Sequence, residues 1–136
     1  MEINWENLIN EAKRGMDFAY APYSHYKVGA AVLAGSGKTY TGCNIENASF
    51  PLSMCAERVA LFKAISEGEK ELLALAVVAN SSTISVPCGG CRQVIVEFAP
   101  EIPIALCNIE GKRKIVKARD LLPFPFTKDY LEGSEI

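Results

Sequence analysis

The chain has 136 residues, 49% of them apolar and 22% charged, with a net charge of −2. That balance supports one folded domain spanning residues 1–136 with a real core, and it excludes a disordered chain. It also lacks the cationic excess that polynucleotide binding demands. Its longest uninterrupted apolar run, Leu72 to Ala79, is far short of the ~18 residues that cross a bilayer. The start, Met1-Glu2-Ile3-Asn4, has neither the basic nor the apolar region of a signal peptide, so a cytoplasmic protein is expected.

Asn4 is placed to cap a first helix, on which Trp5, Leu8, Ile9, Ala12, Met16 and Ala19 form an apolar stripe of helical period. Ala21-Pro22-Tyr23-Ser24 ends it. Val28 to Ala34 and Lys38 to Cys43 are expected as two strands of a hairpin turning at Gly35-Ser36-Gly37. A polar loop follows from Asn44 to Ser53, with Ser53 as the expected cap of a second helix. That helix, Cys55 to Glu67, is apolar nearly all round and is expected to be buried, with Gly68 stopping it. Glu71 to Ala79 is a continuous apolar run, expected as a central parallel strand. A third helix, Cys88 to Phe98, should present Cys91, Val94, Ile95 and Phe98 on one face. Pro103 to Cys107 and Lys114 to Ala118 complete the strands. Asp120 to Leu122 makes a helical turn, and Thr127 caps a short last helix. This order predicts an α/β fold of three α/β/α layers around a mixed five-stranded sheet.

The chemistry-bearing residues fall in two separated stretches, Ser53-Met54-Cys55-Ala56-Glu57-Arg58 and Pro87-Cys88-Gly89-Gly90-Cys91-Arg92-Gln93. Five cysteines in a reducing compartment point to metal binding or catalysis where they cluster. A single histidine, His25, excludes His-x-x-x-His metal sites. Cys88 and Cys91 share a helical face. Cys55 and Glu57, two apart, address the same ion only if it lies off a helix end. The metal is therefore expected between the N-termini of helices two and three, where the partial positive charge favours thiolates. Three thiolate ligands leave a tetrahedral zinc one position for water, as in catalytic sites, and Glu57 is placed to shuttle that water's proton. Three thiolates overcompensate Zn²⁺, so Arg58 is the candidate counter-charge, with Gln93 as a further donor to a thiolate. Cys-x-Glu followed by Pro-Cys-x-x-Cys is the spacing of zinc deaminases. Cys43 and Cys107, in strands, are expected in the core.

These motifs, together with Tyr23-Ser24-His25-Tyr26-Lys27-Val28-Gly29-Ala30-Ala31, Thr41-Gly42-Cys43-Asn44-Ile45-Glu46-Asn47-Ala48 and Leu121-Leu122-Pro123-Phe124-Pro125-Phe126, closely resemble the small homotetrameric, zinc-dependent cytidine deaminases over nearly the whole chain. The resemblance implies hydrolytic removal of the 4-amino group of cytidine or deoxycytidine, giving the uridine and ammonia. It implies one zinc per subunit held by Cys55, Cys88 and Cys91, with Glu57 as the proton shuttle. It places Asn44 and Glu46 at the ribose 3′-hydroxyl, and Tyr26 and Ala56 in the substrate pocket. It also places Phe126 in a neighbouring subunit's site. Tyr26 stands where the family usually has phenylalanine, and Phe124-Pro125 where many relatives have Gly-Ala. The expected partners are a nucleoside and further copies of the chain, with no nucleic acid and no membrane.

Three other readings compete. A deaminase of another aminopyrimidine compound, such as blasticidin S, would keep the zinc site but has no need of the ribose motif Asn44 to Ala48. A structural zinc module needs a fourth protein ligand from Cys43, Cys107 or His25. A thiol oxidoreductase would use Cys88 and Cys91 without metal.

Overall fold

The computed structural model describes residues 2–131. Its helices are α1 (Trp5–Met16), α2 (Ala56–Ser66), α3 (Gly89–Phe98) and α4 (Lys128–Leu131), and its strands are β1 (Val28–Ala34), β2 (Thr39–Cys43), β3 (Leu72–Ala79), β4 (Pro103–Asn108) and β5 (Arg113–Lys117). The strands form one sheet in the order β2-β1-β3-β4-β5. Every neighbouring pair is antiparallel except β3 and β4, whose parallel pairing needs the crossover through α3. The expected mixed five-stranded sheet between helical layers is therefore present. β3 is central, but it is parallel on one side only.

Strand alternation sorts the side chains of the sheet into two cores. Ala30, Val32, Leu75, Val77, Ile104 and Leu106 point toward α2 and α3, where Ala60, Leu61, Ala64 and Ile95 meet them. Ala31, Ala74, Ala76, Val78 and Ala105 point the other way, onto Leu8, Ile9 and Ala12 of α1. The small residues on this second face let α1 lie close to the sheet. A Cβ on Gly29 would stand 2.0 Å from the Ala12 carbonyl oxygen. Asn4 caps α1 as expected, its side chain accepting from the Asn7 amide at 3.1 Å.

Four local expectations are corrected. Ser53 does not cap α2: it ends a 3₁₀ turn (Phe50–Leu52), its hydroxyl accepts from the Asn47 amide, and Cys55 takes the cap position. The helix is also not buried all round. Ala56, Ala60, Leu61 and Ala64 face the sheet, while Phe62 is 41% exposed, because the sheet covers only one side of α2. On α3 the buried positions are Cys91, Ile95 and Val96, and Phe98 is exposed. After β5 the helical turn runs over Ala118–Leu121, slightly earlier than Asp120 to Leu122.

Candidate active site

Two helix N-termini converge at the carboxyl end of β3. Cys55 is the cap residue of α2 and Cys88 that of α3, both in extended backbone, and Cys91 lies one turn into α3. The loop that carries Asn44 and Glu46 is tied to the same corner by backbone pairing. Ile45 and Met54 exchange two amide–carbonyl bonds, and the Glu46 amide donates to the Tyr20 carbonyl. Residues 44–46 are thereby fixed beside Cys55.

The sulfur atoms of Cys55 and Cys88 are 3.8 Å apart, and all three cysteine sulfurs lie within 4.8 Å of one another. A tetrahedral zinc with bonds of about 2.3 Å separates its sulfur ligands by ~3.8 Å, so the donor set fits that ion. Cys43 and Cys107 are not part of this cluster. Cys107 is buried in β4 as expected, whereas Cys43 is only half-buried in β2 and is not a core residue. The Arg58 guanidinium donates from Nη2 to Cys55 Sγ at 3.4 Å, while its Nε is buried with no partner among the described residues. A cation held in this way requires negative charge nearby, and the thiolates of a metal centre supply it. Hydrogen bonding from Cys91 first, then from Arg58 and Cys88, brings the Cys55 thiol down to about 5 against the opposing effect of burial. The same Cys55 contact and burial push the Cys91 thiol up.

Glu57 is 4% exposed in the first turn of α2. Burial pushes its carboxyl up to about 7; its own backbone amide and Arg58 pull it back, and charge on Cys55 pushes it further up. A carboxyl held near neutrality can both take and return a proton. It opens onto a cavity of about 490 Å³ whose lining includes Tyr26, Asn44, Glu46, Ala56, Glu57 and Cys88.

The expected ribose pair lies in that wall. Glu46 is 7% exposed. Its Oε1 accepts from the Tyr23 and Ser24 amides, both at 3.1 Å, and its Oε2 accepts from the Ser24 hydroxyl. These bonds, the Ser24 hydroxyl foremost, hold its carboxyl below the ordinary glutamate value. Asn44 accepts from the Val28 amide at 2.9 Å and donates to the Tyr26 carbonyl at 2.7 Å. His25, between two lining residues, takes a left-handed backbone with φ of 60°.

One expected donor is placed differently. Gln93 does not reach a thiolate: its amide donates to the Phe126 carbonyl at 2.6 Å. Phe126 does not line its own chain's cavity; it is 57% exposed and stacks on Tyr130 with ring centres 5.4 Å apart. The sequence reading missed Ser24, and it missed Phe50, Ser85 and Val86 as lining residues. Ser24 stands in a predicted turn, and no periodicity marks a turn hydroxyl that reaches a carboxylate 22 residues away.

Comparison with known proteins agrees with this construction. Residues 3–106 match the family model described as the cytidine and deoxycytidylate deaminase zinc-binding region. A cytidine deaminase of Sporosarcina psychrophila is 47% identical over 93% of each chain. The crystal structure of a cytidine deaminase from Burkholderia pseudomallei superposes with a TM-score of 0.88 at 45% identity, covering 91% of this chain and all of that one. That of the Mycobacterium tuberculosis enzyme superposes with a TM-score of 0.82 at 38% identity, covering 92% and 98%. The chain belongs to the cytidine deaminase family, and zinc is its cofactor.

Proposed function

We infer that this protein is a hydrolytic deaminase that converts cytidine and deoxycytidine to uridine and deoxyuridine with release of ammonia. The observation that carries this is a cluster of three thiols, two of which, Cys55 and Cys88, line one cavity together with a buried, near-neutral Glu57. The blasticidin-type alternative shares that cluster but gives no reason for Asn44 and Glu46 in the wall.

Zinc held by Cys55, Cys88 and Cys91 would supply a Lewis acid that makes water nucleophilic near neutral pH. Glu57 moves both protons of the attacking water, one to the ring N3 and the second to the amino group, which leaves as ammonia while the oxygen stays on the ring as the new carbonyl. Arg58 offsets the negative charge of the thiolates through its contact with Cys55. Tyr26 and Ala56 flank the base. Glu46 receives the ribose 3′-hydroxyl on lone pairs left over from its three internal donors, and the spare hydrogen of the Asn44 amide joins it. A carboxylate there suits a hydroxyl and repels a phosphate, so the substrate is a nucleoside.

The assembly we propose is a homotetramer of single-domain chains in which Phe126 completes the pocket of a neighbour. Its absence from the lining of its own cavity supports this, as do the exposed apolar side chains of Leu52, Phe62 and Phe124. We place the protein in the cytoplasm, in pyrimidine salvage. Among the described residues no helix is long and apolar enough to cross a membrane. Loss of the cytidine absorbance band on adding purified, zinc-loaded protein tests the activity. Stoichiometric zinc without any spectral change would overturn it.

A further inference from the structure

Two consecutive polar side chains on α3 donate to backbone carbonyls, two of them in the C-terminal segment. Arg92 donates from Nε to the Pro87 carbonyl at 2.8 Å and from Nη1 to the Leu121 carbonyl at 2.9 Å. Gln93 donates to the Phe126 carbonyl. Pro87 is the residue immediately before Cys88, and its side chain is fully buried. Arg92 itself follows Cys91 directly. The guanidinium therefore closes the Cys88–Cys91 turn across its base, and a rigid planar fork suits two carbonyls in fixed directions. Of the residue-87 carbonyl, Arg92 is the side-chain partner; without it a carbonyl beside a buried ring loses that bond, which favours displacement of the turn.

We propose that Arg92 and Gln93 form a strap with divided work. Arg92 is a positioning residue for the metal-bearing turn. It holds Cys88 in register with Cys55 by fixing Pro87 against Leu121. Gln93 is a positioning residue for Phe126 and does not act on the metal. Both roles are exerted through backbone carbonyls, so neither is visible in the ligand spacing. The Gln93 half rests on the proposed role of Phe126 in a substrate pocket; the Arg92 half rests only on the zinc site.

The test uses zinc-loaded, full-length protein and two readouts. The first is the rate at which zinc passes to a colorimetric chelator in the absence of substrate. The second is the separate measurement of KM and kcat for cytidine. Arg92→Ala should hold zinc roughly 10- to 100-fold less well, the range typical of lost support for metal ligands, and its chelator transfer should be correspondingly faster. Arg92→Lys, with a single ammonium for two carbonyls, should fall between it and the parent and serves if the alanine variant does not fold. Gln93→Leu should release zinc at the parent rate and raise KM. Arg119→Ala, which removes a surface ion pair to Glu101, should match the parent in both readouts. Zinc transfer from Arg92→Ala and Arg92→Lys at the parent rate would overturn the Arg92 assignment. Zinc loss from Gln93→Leu as fast as from Arg92→Ala would overturn the division of work. If Phe126→Ala leaves KM unchanged, the shared-pocket reading fails, and the Arg92 result stands or falls on zinc alone. If Phe126→Ala raises KM and Gln93→Leu does not, Gln93 does not position Phe126.

Discussion

Single residues at this site do work that their neighbours define. Glu57 is useful because burial lifts its carboxyl to about 7; the same residue in water would be a weak base at neutral pH. Glu57→Gln should bind zinc as the parent does, by metal analysis, and lose roughly 10²–10⁴-fold in kcat; turnover within tenfold of the parent would remove it from the mechanism. Arg58→Ala leaves the Cys55 contact empty and should lower zinc content or rate, and normal values of both would refute the charge compensation. Glu46 offers a prediction in pH. Its carboxyl is depressed, chiefly by the Ser24 hydroxyl, so the stabilisation it contributes is present above its ordinary value of 4.5 and fades as pH falls through the lowered one. Ser24→Ala should therefore melt below the parent at pH 7, and the gap should narrow on acidification toward pH 3. A gap independent of pH would mean that Ser24 acts by packing alone. The clustering of Cys55, Cys88 and Cys91 and the place of Glu57 beside them were legible in the sequence, because metal chemistry constrains both residue type and spacing. Ser24, Arg92 and the true partner of Gln93 were not. Each acts on a group far away in sequence, and only the fold brings those groups together.

At the scale of elements, the hairpin and the central strand were readable because the Gly35-Ser36-Gly37 turn and an uninterrupted apolar run are local signals. The uneven burial of α2 was not. Its apolar residues occur all round, and composition does not tell which side meets the sheet and which remains open. What decides is the contact between α2 and β2, and that contact depends on a residue without a side chain. A Cβ on Gly42 would stand 2.5 Å from both the Ala56 carbonyl oxygen and the Ala60 amide nitrogen, and these are backbone atoms that cannot swing aside. Gly42→Ala must push the start of α2 outward, and Cys55, Glu57 and Arg58 move with it. Overpacking of this kind costs about 1–3 kcal/mol. The expected outcome is a lower melting temperature together with lost zinc, whereas Gly37→Ala, at a φ of 93° with open space around it, should lower stability and leave zinc content unchanged. Equal zinc content in the two variants would separate α2 packing from site assembly. The sheet itself is far less sensitive at its rim. β5 carries Arg113, Lys114 and Lys117 on an outer strand, a charged edge that discourages pairing with another sheet.

At the scale of the whole molecule, the site described in one chain has a floor and one wall, and its aromatic residue near the C-terminus points elsewhere. Phe126 is more than half exposed and Phe124 is 96% exposed, a poor arrangement for a lone protein in water. If Phe126 enters a neighbour's pocket, each active site takes zinc and Glu57 from one chain and the aromatic ring from another, and closed symmetry lets every site be completed in this way. The consequence is complementation between inactive chains. Phe126→Ala and Glu57→Ala should each be nearly inactive alone. Produced together, or unfolded and refolded as a mixture, they should recover part of the parent rate, because some sites then combine an intact Glu57 with an intact Phe126 from the partner. With random mixing in a tetramer, about a quarter of the sites should be restored if each site draws on one neighbour. Titrating the ratio of the two variants should give maximal activity near equal amounts, since either one in excess mostly pairs with itself. Activity no greater than the sum of the separate variants would place Phe126 within its own chain's chemistry or outside it altogether. A monomer in sedimentation at the assay concentration would exclude a shared site directly.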